Sequence, residues 1–113
     1  MNIQIFGTNK NFDTKKAQRF FKERGVKFQM IDLKEKGMSN GELTSVARAV
    51  GGWESLLDRD AKDNDAVQRI LWSPEELRPA MLQERPQCLR QPIVRNGRQA
   101  TIGYCPEIWK TWE

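Results

Sequence analysis

An α/β fold, in which a βαβ unit and a ββα unit share one mixed sheet around an all-helical segment, is predicted for this 113-residue chain by three observations. The opening stretch "IQIFGTNKNFDTKKAQRFFKERGV", Ile3 to Val26, reads as an apolar strand, a polar turn and an amphipathic helix. The middle of the chain carries Ser-x-x-Glu helix starts and no strand-like run. The last third holds two short β-rich runs joined at Asn96 and Gly97.

Each element has a local reason. Ile3, Ile5 and Phe6 make a first strand ending at Gly7, and "TNKN" turns into a helix from about Asp13 to Arg24. Asp13 is placed to cap that helix, Ala17, Phe20 and Phe21 form its inner face, and Gly25 stops it. "VKFQMIDL", Val26 to Leu33, supplies a second strand, and the intervening helix implies a right-handed parallel crossover. Ser39 and Glu42 stand three apart before "LTSVARAV", a capping box that opens a helix to about Val50, with Gly51 and Gly52 ending it. "WESLLD" predicts a short helix and Ala66 to Leu71 a further helical stretch. Ser73, Pro74 and Glu76 predict a second capping box and a helix through Met81 and Leu82, with Pro79 inside it. "PIVR" and "QATIG" then pair as a hairpin, Asn96 and Gly97 taking the positive φ of its turn. A final helix, "EIWKTW", sets Ile108, Trp109 and Trp112 against the sheet. That order is the thioredoxin- and glutaredoxin-like plan, expected here as a single domain over 1–113 with a helical insertion over about 39–85.

Composition removes several function classes. Hydrophobic residues make up 38%, enough for one core at this length. The net charge is +4, but 19 basic residues are interleaved with 15 acidic ones, as in "KEKGMSNGE" and "LLDRDAKDND", the pattern of a solvated surface. Arg85, Arg90, Arg95 and Arg98 tilt the last third basic without a groove-reading helix or an aromatic platform, so nucleic acid is not an expected partner. No apolar run approaches the roughly 20 residues of a membrane span, and the opening residues do not resemble a signal peptide, so no membrane contact and a cytoplasmic location are expected. The chain has no histidine, which excludes histidine catalysis and histidine ligation. Cys88 and Cys105 form neither a disulfide framework nor a close zinc pair, so no metal is expected.

The stretches "IFGTNKNFDTKKAQRFFKERGVKF", "GGWESLLDRD" and "QPIVRNGRQATIGYCPE" together resemble the arsenate reductase family, which also contains the Spx-type transcription regulators. The resemblance spans essentially the whole chain. It implies a thioredoxin-like fold and a site at the start of the first helix, where free N–H groups and the helix dipole lower a cysteine pKa and hold an oxyanion. Phe12 occupies that cysteine position, and no residue from Gly7 to Ala17 carries sulfur. Lys15 stands where an Spx-type second cysteine would fall, so a CxxC switch is missing too. Of the arginines that the family uses around arsenate, Arg59 is kept. Gln91 replaces the one before "PIV", with Arg90 one residue upstream, and Tyr104 replaces the one before the final "PE". Pro92 matches the family's cis-proline position facing the active-site turn.

The remaining candidates pair a functional reading with a plainer one. Cys105, just beyond the last strand, is the candidate substitute thiol, able in principle to form a mixed disulfide with glutathione; the plain reading is an incidental cysteine. Cys88 reads as a packed small residue. Lys10, Thr14 and Arg59 are candidate anion contacts, with Lys15 and Lys16 adding charge, although a cap from Asp13 would compete with an anion. Trp53, Trp72, Trp109 and Trp112 read as core or partial-core residues rather than a binding surface.

Two readings of function follow. In the first, the chain keeps the scaffold, has lost reductase activity, and is a non-catalytic binding or regulatory protein. RNA polymerase is a partner only by analogy with Spx-type relatives, whose partner surface corresponds to the region of Gly51 and Gly52. In the alternative, it is an arsenate reductase-like oxidoreductase linked to glutathione and glutaredoxin that uses Cys105. The first is favoured, since a mechanism through covalent intermediates has no path without its nucleophile.

Overall fold

The computed structural model describes residues 1–112. Strand β1, Ile3–Gly7, is the spine of a four-stranded sheet ordered β2-β1-β3-β4. It pairs in parallel with β2, Phe28–Asp32, and antiparallel with β3, Ile93–Asn96, which in turn pairs antiparallel with β4, Gln99–Ile102. Alternation along β1 sends Ile3 and Ile5 to one face and Phe6 to the other. Both faces are covered, so nearly the whole strand is buried.

One face carries α1, Phe12–Glu23, whose Thr14, Ala17 and Phe21 form a buried stripe at helical spacing. Phe21 packs with Trp109 and Trp112 against Ile3, Ile5 and Val94. Gly25, at φ 67, ends the helix by supplying a left-handed residue. The opposite face carries α2, Asn40–Val50, α3, Asn64–Trp72, and α4, Arg78–Gln83, joined by short 3₁₀ turns. Their Leu43, Val46, Val67, Ile70 and Leu82 meet Phe6, Ile31 and Ile93. The chain closes with α5, Pro106–Trp109, tied to β4 by a bond of 2.8 Å from Trp109 Nε1 to Thr101 Oγ1.

The predicted element order and the Ser39–Glu42 capping box are present, with both reciprocal hydrogen bonds made. Five local expectations change. Asn11, not Asp13, caps α1. The second box does not form: the Ser73 hydroxyl donates to the Arg69 carbonyl at 2.7 Å and closes α3, while Pro74 stays extended ahead of a 3₁₀ turn, Glu75–Leu77. The hairpin loop is Gly97 and Arg98, because Asn96 still pairs with Gln99. Only Gly97 there has positive φ, at 60°, which fits a Gly-x turn of the II′ kind rather than an Asn-Gly one. Ile108 faces solvent, because Trp109 and Trp112 take the inward positions on the last turn. Trp72 is 84% exposed at the end of α3, where Val67 and Ile70 already fill the inner face.

Candidate functional site

The β1–α1 turn, residues 8–11, lies where the C-terminal end of β1 meets the start of α1. Gly7 is there because nothing larger fits: a Cβ on it would collide with Thr14 Oγ1 and stand 2.8 Å from Thr14 Cγ2. Thr14 is fully buried. Its N–H and its hydroxyl both donate to Asn11 Oδ1, at 2.8 and 3.0 Å. The Asn11 N–H donates in turn to the Thr8 carbonyl at 3.1 Å. Thr14 therefore faces the interior of the turn rather than an incoming anion.

The other end of the turn is held by a residue far away in the chain. Gln91 Oε1 accepts from the Thr8 N–H at 2.8 Å and from the Thr8 hydroxyl at 3.1 Å. A neutral carboxamide oxygen thus takes two donors of the turn. Gln91 precedes Pro92 through a cis peptide bond, and the Pro92 carbonyl accepts from the Gly103 N–H at 2.8 Å. Phe12, the first residue of α1, points its ring into solvent and is 81% exposed.

A cleft of about 800 Å³ opens beside this turn, lined by Thr8, Lys10, Asn11 and Gln91 together with Lys34, Asp58 and residues 60–63. Its charges alternate: Lys10, Lys34 and Lys62 against Asp58, Asp60 and Asp63. A site for an oxyanion needs converging cations, and these acids offset them. Asp63 is also committed to structure. It caps α3 through the Ala66 N–H at 3.2 Å and accepts from Gln87 Nε2 at 2.9 Å. Those bonds, the one from Gln87 foremost, hold its carboxyl below the usual carboxylate range.

The anion candidates do not converge. Lys10 reaches the cleft, Thr14 is buried behind the turn, and Arg59 is exposed and lines neither the cleft nor the hollow beside it. Arg90 does reach that hollow, of about 150 Å³, together with Asn11, Asp58 and Gln91. Tyr104 stands away from the cleft, with its ring edge-on to Trp109 at 5.6 Å and Lys16 Nζ 5.4 Å above its face.

Burial acts against ionisation of both thiols. Cys105 is half-buried against the Ile3–Phe21–Trp109 cluster, with its Sγ 3.3 Å from the Ile102 carbonyl as a donor. Burial pushes its pKa up, outweighing the opposing Thr101 hydrogen bond and Arg90 charge. Cys88 is fully buried, as expected of a packed small residue, and burial followed by the Asp63 charge raises its pKa as well. Among the described residues no cluster of His, Cys, Asp or Glu could hold a metal ion. Among the described residues no helix is long and apolar enough to cross a membrane.

The bond from Thr8 to Gln91 was invisible in sequence because it joins residues 83 positions apart. The only signal was a polar side chain at the position where the resemblance places an arginine.

A mixed sheet of this order, flanked by α1 and by a helical insertion, is a thioredoxin-like α/β fold, and it is shared with solved structures of proteins described as arsenate reductases or their relatives. The structure of an arsenate reductase from Vibrio cholerae is similar to this chain with a TM-score of 0.80 at 20% identity, over 96% of this chain and 94% of that one. A protein from Bacteroides fragilis described as ArsC family related gives 0.82 at 16% identity, over 100% and 98%. An arsenate reductase (ArsC) related protein from Brucella melitensis gives 0.60 at 20% identity, over 99% and 94%. These likenesses show the fold. No protein-family model and no curated protein matches the sequence.

Proposed function

We propose that this chain is a divergent relative of the arsenate reductase and Spx-type proteins that does not reduce arsenate and serves as a binding or regulatory protein. One observation carries the reading: the start of α1 presents a solvent-exposed phenylalanine ring, and no sulfur lies from Gly7 to Ala17. Covalent reduction of an oxyanion needs a thiolate at that helix start, where N–H groups and the dipole stabilise charge. Here Asn11 and Gln91 already occupy donors of the turn. The burial and raised pKa of Cys105 weigh against its serving as a substitute nucleophile.

The test is coupled turnover: NADPH oxidation followed with arsenate, glutathione, glutaredoxin and glutathione reductase, with and without the reduced, folded protein. No protein-dependent rate is expected. A rate that depends on the protein and disappears in Cys105→Ser would overturn the reading in favour of a thiol oxidoreductase.

A further inference from the structure

The non-catalytic reading leaves open which surface binds and what it binds, and the outer face of α1 answers both. Helix α1 buries Thr14, Ala17 and Phe21. At roughly 100° per residue, Phe12, Lys16 and Arg19 fall together on the opposite side, with Lys15 beside them. All four are exposed, the apolar Phe12 included. Among the described residues the ion pairs are Arg85 with Glu84 and Lys110 with Glu107, so none of these three cations is neutralised by a neighbour. A bare aromatic ring at the head of an unpaired basic stripe has the composition of an interface anchor with its rim.

We propose that the outer face of α1 docks an acidic segment of a protein partner, with Phe12 as the apolar anchor and Lys15, Lys16 and Arg19 as contacts for carboxylates. Charge complementarity sets the sign of the partner. The rings decide between an acidic peptide and a nucleic acid. Single-stranded nucleic acid binds by stacking bases on successive aromatic faces. Along this face Lys16 already covers Tyr104, and the Arg24 guanidinium covers Phe20 at 4.6 Å, which leaves Phe12 as the one bare ring.

The proposal rests on the binding-protein reading, and its test is separable from the turnover assay because it measures only binding at α1. The full chain is immobilised and offered a displayed library of random peptides, and in parallel a pool of random single-stranded RNA. Selected peptides are expected to be rich in Asp and Glu around an aromatic or aliphatic residue and to weaken with added salt. They are also expected to bind Phe12→Ala on the order of tenfold more weakly and to lose binding to Lys16→Glu/Arg19→Glu. All three substituted side chains are exposed, so the variants keep the fold. Amide shifts from a selected peptide should map to residues 12–19. Peptides without acidic bias, equal binding to the variants, shifts centred elsewhere, preferential retention of RNA, or no enrichment would each overturn the proposal.

Discussion

The starts of α1 and α2 are closed by the same chemistry drawn from different distances. At α2 the closure is local: Ser39 Oγ accepts from the Glu42 N–H at 3.1 Å, and Glu42 returns a bond to the Ser39 N–H at 2.9 Å. At α1 half of it is local, through Asn11, and half comes from Gln91 on the far side of the sequence. In a reductase the donors at such a helix start must stay open for an oxyanion. Here Asn11 Oδ1 takes the Thr14 N–H and Gln91 Oε1 takes the Thr8 N–H just ahead of the helix. The lesson is that two backbone donors around the α1 start are paired with neutral side-chain oxygens, one from a neighbour and one from the far side of the sequence.

The largest effect on that comparison should come from Gly7→Ala. The added Cβ meets buried Thr14, which cannot retreat without giving up its bonds to Asn11. Overpacking of this kind costs about 1–3 kcal/mol. Urea unfolding should show it, whereas Gly41→Ala in the first turn of α2, with open space around its Cβ position, should not lose stability.

Cap removal comes next. Asn11→Ala and Ser39→Ala should each cost about 1 kcal/mol, Asn11 the more because it accepts two bonds. Gln91→Ala should add a loss of about 0.5–1.5 kcal/mol by leaving the part-buried Thr8 N–H unpaired. Chemical shifts should move at the β1–α1 turn and stay fixed at Ser39. Equal responses at both helix starts to Gln91→Ala would erase the distinction drawn here.

The smallest effect concerns a third helix start, at α3, which Asp63 caps with support from Gln87. Its carboxyl titrates below the ordinary value in the folded chain, so its contribution is present above the unfolded pKa, roughly 3.9. It is lost as pH falls through the lower folded value. Gln87→Ala should move the Asp63 titration, followed by NMR, back up toward the ordinary value. An unmoved titration would mean that the Ala66 N–H alone sets it.

How much of this was legible in sequence follows the range of each interaction. The α2 cap, the Gly25 stop and the buried face of α1 were readable because their partners lie within a few residues. Ser73 and Glu76 matched the same local pattern as Ser39 and Glu42 and failed, because the Ser73 hydroxyl found the carbonyl of the preceding helix first. The Asn96–Gly97 signal located the hairpin but not its register, which pairing with Gln99 fixed one residue further on. At the candidate site Phe12 and Gln91 were singled out as substitutions. The exposure of Phe12 follows from its helical phase opposite Thr14, Ala17 and Phe21, whereas the Gln91 carboxamide reaches Thr8 only because β3 docks beside β1.

That docking also sets an order of events during synthesis. Strand β1 can pair with β2 and receive α1 as soon as the first 32 residues have emerged, but its second edge bonds to Ile93–Asn96. Until the ribosome has made that segment, β1 carries an unpaired edge and Phe6 lacks its cross-strand neighbour Ile93. The last hairpin is therefore the clasp of the domain, and a nascent chain stalled before it would be held in a state prone to pairing with the wrong strand.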